Sequence, residues 1–243
     1  MKRIVCLLLA ALFAVLSVGC GEAEKESGSS AGPGSSSVRA EIINRDEYLL
    51  YQNVFYKGYG KDIDGTKVKK EGVLAVLHDA FNDRDRFYVW GFFDQTKCCD
   101  WQWEFVPGDG SELPAVGSLV TVEGTFSSSS DALDGYWIED AAVTVKTEFT
   151  GKTADLDMLS MSCTLERVQM INVARHPEAF PGKTFTAYGR VASPDSLEDP
   201  YYDNSWEIKL SFSGDLPGTG TLVRASGAVK DGTLDAETVD TIE

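Results

Sequence analysis

One stretch of this chain occurs twice. Residues 112–126 read ELPAVGSLVTVEGTF and residues 215–229 read DLPGTGTLVRASGAV, identical at six of fifteen positions, with Glu/Asp and Ser/Thr exchanged conservatively. Upstream, DGTKVKKEGVLA (64–75) parallels PGKTFTAYGRVA (181–192). Gly65, Val68 and Gly72 keep the spacing of Gly182, Phe185 and Gly189. A short apolar strand follows each copy, YWIEDAAVTV (136–145) and ETVDTIE (237–243). Three matches in the same order make the chain two copies of one module, 38–150 and 151–243, with the boundary near Thr150.

Within each copy the apolar period is two, the period of a strand with one face in a core. Val120 and Val122 alternate with Thr121 and Glu123; Trp101, Trp103 and Phe105 alternate with Gln102 and Glu104. Gly, Asp, Ser and Pro clusters separate the runs. The expected strands are 66–78, 85–95, 101–106, 118–127 and 136–145 in the first module. In the second they are 183–192, 205–213, 221–230 and 236–242. A helix is expected before each set, Asn44 to Phe55 and Thr164 to Phe180. The second is read with Leu165, Val168, Ile171 and Val173 on one face, and with His176-Pro177 as a stop. Five short strands with a long first strand and a central Gly predict an all-β chain of two small Greek-key barrels.

The order helix, Gly-bracketed first strand, hairpin, then P-x-x-G-x-x-V-x-x-x-G (Pro114 to Gly124, Pro217 to Gly227) resembles the OB-fold domains of bacterial lipoproteins of uncharacterised function. The resemblance covers 38–243 and rests on turn positions. It implies two tandem OB-like barrels with short N-terminal helices. Cys98-Cys99, set before an aromatic strand, is similar to a placement found in several such envelope families. The second module departs, having Leu210-Ser211-Phe212 there and no cysteine pair.

The N-terminus carries an address. Lys2 and Arg3 precede a 15-residue apolar run, Ile4 to Val18, short of the roughly 20 residues a spanning helix needs and suited to a signal sequence. Leu16-Ser17-Val18-Gly19-Cys20 resembles a bacterial lipoprotein signal, although Leu16 sits one residue further from the cysteine than usual. The resemblance implies that residues 1–19 are removed and Cys20 is lipidated; ordinary cleavage and an uncleaved anchor are the alternatives. Residues 20–37 are Gly/Ser/Glu-rich, a flexible tether with a reach of roughly 20–25 Å. The expected location is the bacterial cell envelope, lipid-anchored outside the cytoplasmic membrane.

Charge narrows the partners. With 38 acidic residues against 22 Lys and Arg, the net charge is −16 and the pI about 4.5. Such a surface repels nucleic acid. Two histidines leave little material for a His-rich metal site or a His-based triad, and no common catalytic signature occurs.

Three features carry candidate chemistry. The first is the cysteines remaining after the anchor: Cys98, Cys99 and Cys163. Adjacent Cα atoms lie about 3.8 Å apart, below the usual span of about 4.4–6.8 Å for a disulfide, so a Cys98–Cys99 bridge is strained. A bridge from either to Cys163 closes a loop of about 64 residues, worth roughly 4 kcal/mol of chain entropy, and staples the modules. Thiols buried without a bridge, and a redox or metal site, remain open; Met158, Met161 and Cys163 are spaced as soft ligands or as core. The second is Asp62, Asp64, Gly65 and Glu71, a partial calcium-loop pattern, read as a polar turn entering the first strand. Asp195 to Asp203 is likewise read as solvated loop charge. The third is the strand that is aromatic on both faces. Phe87, Val89, Gly91 and Phe93 share one; Tyr88, Trp90 and Phe92 share the other. The second face must meet a helix, the other module or a ligand, and as a ligand platform it is rimmed by Cys98 and Cys99.

The expected function is a non-catalytic binding or adaptor module without a cofactor, its partner an envelope protein, peptide or glycan. The alternative is a thiol-dependent redox or metal-handling lipoprotein using Cys98 and Cys99.

Overall fold

The computed structural model describes residues 42–97, 99–129, 135–151, 154–202 and 205–242. The long first strand organises the first half. β1 (Lys67–Asp79) pairs with β4 (Leu119–Ser128) through its first half and with β2 (Arg84–Phe92) through its second, Val73 meeting both Leu119 and Trp90. The change of partner occurs at Gly72, where a Cβ would stand 2.5 Å from the Trp90 carbonyl oxygen. Only glycine lets the two backbones approach this closely. β3 (Asp100–Pro107) and β5 (Tyr136–Thr147) complete a closed barrel of order β1-β2-β3-β5-β4, with β3 and β5 parallel.

The second half forms a six-stranded sheet of order β10-β11-β9-β8-β7-β6. Its strands are β6 (Leu156–Asp157), β7 (Thr184–Ser193), β8 (Ser196–Glu198), β9 (Glu207–Phe212), β10 (Leu222–Lys230) and β11 (Thr233–Thr241). β10 also pairs with β7, and β9 runs parallel to β11. The cycle of pairings β7-β8-β9-β11-β10 therefore follows that of the barrel. β8 was not expected, because the Asp195 to Asp199 stretch reads as loop.

The repeat is expressed in the turns. Gly117 and Gly220 both have φ +91°. The Gly117 N–H donates to the Leu74 carbonyl at 2.8 Å, and the Gly220 N–H donates to that of Val191 at 2.8 Å. Leu74 and Val191 return the bond to the carbonyls of Ser118 and Thr221, each at 2.9 Å. A bulge falls beside Gly124 in β4 and beside Gly227 in β10. The repeated glycines thus recur because one turn and one bulge are built twice.

Among the described residues two α-helices lie outside the strands. α1 (Arg45–Phe55) starts at Asn44, whose side chain accepts from the Glu47 N–H at 3.1 Å. Val54 of α1 joins the barrel interior with Val89, Trp101, Trp103, Phe105 and Phe126. Both tryptophans of β3 point inward, as their alternation implies. α1 is also held by an ion pair, Lys70 Nζ to Glu47 Oε1 at 2.7 Å, with Lys70 buried over the Trp103 ring. α2 (Cys163–Arg175) is capped by Ser162 and ends before His176-Pro177. Its expected apolar face needs correction. Leu165, Gln169, Met170 and Val173 are buried, whereas Val168 is 41% exposed. Gln169 takes the inward position because its Oε1 accepts the His78 N–H at 2.7 Å.

Both sheets belong to one compact unit. The outward side chains of β1 and β2 merge with Met158, Met161, Leu165 and the apolar side chains of the second sheet in one continuous core. Two side-chain hydrogen bonds cross it: Trp90 Nε1 donates to the Ser160 carbonyl at 3.0 Å, and Asn172 Nδ2 to that of His78 at 3.3 Å. The buried His78 ring contacts Asp85 through Nδ1 at 2.8 Å and stands edge-on to Phe180. Among the described residues no helix is long and apolar enough to cross a membrane.

A shared core predicts shared unfolding. In urea the wild-type chain should give one cooperative transition. Trp90→Ala should cost about 3–5 kcal/mol and separate the transition into two. Two transitions already present in the wild type would contradict a shared core. At the repeated turn, Gly220→Ala meets no atom within 4 Å but keeps φ +91°. It should cost about 1–2 kcal/mol from backbone strain alone, read as a shift in the urea midpoint.

Candidate ligand cleft between the two helices

The expected ligand platform at Tyr88, Trp90 and Phe92 is a packing surface. The three side chains are 8%, 1% and 2% exposed. The second module covers them, and this is the inter-module alternative for the second aromatic face. Phe92 alone reaches an opening, at the edge of a cleft of about 920 Å³ between α1, the loop before β3, α2 and the loop after β8.

The cleft is walled by tyrosine. Tyr48, Tyr51 and Tyr56 from α1 and its C-cap face Tyr201 and Tyr202 from the far loop, five of the nine tyrosines in the chain. Helical spacing sets the near wall. Tyr48 and Tyr51 are three apart, one turn, and Gln52 Nε2 donates to the Tyr48 hydroxyl at 2.8 Å. Tyr51 packs on Phe55 and edge-on to Trp103, with centroids 4.5 and 6.0 Å away, so the barrel core anchors it. Tyr56 and Tyr202 leave 77% and 55% of their surface exposed.

The floor is a cross-module contact. The Asp100 carboxylate, at the start of β3, accepts from the Thr164 N–H at 3.0 Å and from the Thr164 hydroxyl at 2.8 Å. An anion at a helix N-terminus is favoured by the orphan N–H groups and the helix dipole. The contact sets the residues that precede Asp100 and Thr164 in the same cleft, and these are Cys99 and Cys163. No disulfide is present among the described residues, so the expected staple from Cys99 to Cys163 is not formed. Cys98 and Cys20 lie outside the described residues. Met158 and Met161 are core side chains. Among the described residues no three His, Cys, Asp or Glu side chains gather as a metal site. The partial calcium loop is a turn: Asp64 accepts the Ser128 N–H at 2.6 Å and Gly65 has φ +75°.

On the far wall, buried Asp199 shapes the loop by accepting the Tyr201 and Tyr202 N–H groups at 2.8 and 3.1 Å. Its other oxygen lies 3.7 Å from Arg167 Nε. The Arg167 guanidinium is 4.1 Å from the Tyr202 ring centroid and donates to the Ser205 hydroxyl at 2.8 Å.

Nothing in the local sequence marks this cleft, since its two walls lie about 150 residues apart. The one signal is density: Tyr48, Tyr51, Tyr56 and Tyr59 fall within twelve residues, more aromatic surface than one short helix needs for docking.

Burial raises the Tyr51 phenol above its ordinary value, helped by nearby Tyr56, Asp100 and Tyr48. Burial likewise raises Tyr88, followed by the adjacent Glu104 carboxylate. Unfolded tyrosine loses its proton near pH 10 while these two keep theirs, so the unfolded state binds fewer protons there and stability falls as pH rises. Alkaline unfolding should begin above about pH 10. Tyr51→Phe should move its midpoint upward, with phenolate absorbance as the readout.

No protein-family model and no curated protein matches this chain, so the significance of the cleft rests on its geometry.

Proposed function

We propose that this chain is a lipid-anchored, non-catalytic binding module of the bacterial cell envelope, built from two OB-like barrels, with its ligand held in the tyrosine cleft. The barrel order β1-β2-β3-β5-β4 with β3 parallel to β5, and the same cycle of pairings in the second half, support the OB-like reading. The lipoprotein-like segment ending at Cys20 and the Gly/Ser-rich stretch after it support the anchor. OB barrels commonly take ligands over strands two and three. Here the outer face of β2 is spent on the other module, so the free aromatic surface is displaced to the adjoining cleft.

The observation that carries the reading is the convergence of five tyrosines from both modules on one opening. Tyrosine supplies broad apolar area with a polar tip and few rotors to freeze, which suits recognition without chemistry. Peptides, glycans and envelope proteins fit such a wall. Nucleic acid does not fit a chain of charge −16.

The test uses the full chain in detergent against envelope-derived peptides and glycans, read by thermal unfolding. At least one class should raise Tm saturably, be recovered chemically unchanged, and lose its effect in the Tyr56→Ala/Tyr202→Ala double variant. Turnover of a bound compound, a shift that ignores the double variant, or no saturable shift at all would overturn the reading.

Thiol chemistry is the second reading, favoured by Cys99 and Cys163 lining the same cleft. Intact mass after alkylation, with and without mild reductant, separates the two. A bridge that opens in mild reductant supports the thiol reading.

A further inference from the structure

Resting on the binding reading above, we infer that the cleft recognises the cationic side chains of a basic, extended peptide segment of a partner protein. The inference follows from how charge and ring faces are arranged. The walls hold three carboxylates, Asp100, Glu166 and Asp199, against two cations, Lys97 and Arg167. Arg167 is already matched, since it faces buried Asp199 and stacks on Tyr202. With Lys97 counted, the lining keeps one net negative charge, with the tyrosine faces of α1 and Asp100 beside each other.

A guanidinium or ammonium group is attracted to the ring quadrupole and to the carboxylate at once. The two Asp100 oxygens that accept from Thr164 each retain a second lone pair for an incoming donor. The contact between Arg167 and Tyr202 already shows this wall accommodating a guanidinium on a ring face.

The rest of the molecule reinforces the choice. A net charge of −16 concentrates cationic ligands near the surface and repels phosphates and acidic glycans. A volume of about 920 Å³ is at the upper end for a compact ligand, and it opens along the cleft between the two helices. That shape suits a short run of extended peptide, with alternate side chains directed to the tyrosine wall.

The experiment titrates the full chain in detergent with a synthetic peptide of alternating Gly and Arg, following intrinsic fluorescence, to which Trp206 in the wall contributes. An otherwise identical citrulline peptide and a neutral oligosaccharide serve as comparisons. The Arg peptide should saturate the signal, and the citrulline peptide should bind at least about tenfold more weakly. Affinity should fall as salt rises from about 0.05 to about 0.5 M. Tyr56→Ala, at the exposed side of the cleft, should weaken the Arg peptide several-fold. Equal binding of the Arg and citrulline peptides would overturn the inference. So would binding of the oligosaccharide without the Arg peptide, while leaving the cleft a binding site. Failure of both peptides together with a silent thermal panel would overturn the binding reading as well.

Discussion

The structure turns on one buried face. β2 is apolar on both sides, and a five-stranded barrel fills only its interior. Val89 completes that interior, so Tyr88, Trp90 and Phe92 require a second covering. The second module supplies it, with the Trp90 indole N–H meeting the Ser160 carbonyl. A buried tryptophan needs such an acceptor, and its absence would cost more than the bond contributes. This contact fixes where the 156–161 segment lies, hence where α2 begins, and hence the width of the cleft between α2 and α1.

Polar groups then set the register that apolar packing leaves loose. The His78 backbone is bonded on both sides by α2, its N–H by Gln169 and its carbonyl by Asn172. The Asp100 carboxylate caps the same helix from the barrel. A rotation of α2 by one residue would break all of these at once and leave buried groups unpaired. The helix therefore presents Val168, Ile171 and Arg167 to the cleft although two of the three are apolar. Sequence periodicity alone favours the opposite face.

Much of the architecture was legible because it is local and repeated. Gly117 and Gly220 stand at turns that require positive φ, Gly72 at a close backbone approach, and the Trp101/Trp103 alternation points into the barrel. Each of these is decided within a few residues. The second face of β2 posed a choice that no local pattern resolves, since packing and ligand binding both require exposed-looking aromatics. The cleft was illegible for a sharper reason. Tyr51 and Tyr202 have no sequence relation, and only the docking of the modules makes them opposite walls. β8 was hidden similarly, its pairing with β7 and β9 being imposed on a segment rich in Asp and Ser.

The two aromatic faces now divide the work. One was spent on joining the modules, and its tryptophan is inaccessible. The other aromatic set is phenolic, peripheral and beside carboxylates. That difference in residue type has a physical basis. Trp and Phe suit a face that never returns to water. Tyr suits one that is solvated until a ligand arrives, because its hydroxyl keeps the empty wall wet at little cost. Joining the modules builds that wall, since neither half alone brings α1 to face the Tyr201-Tyr202 loop. The interface that removes the expected platform is therefore also what creates the cleft. Under the proposed binding function, loosening it should weaken ligand capture even when every cleft tyrosine is intact.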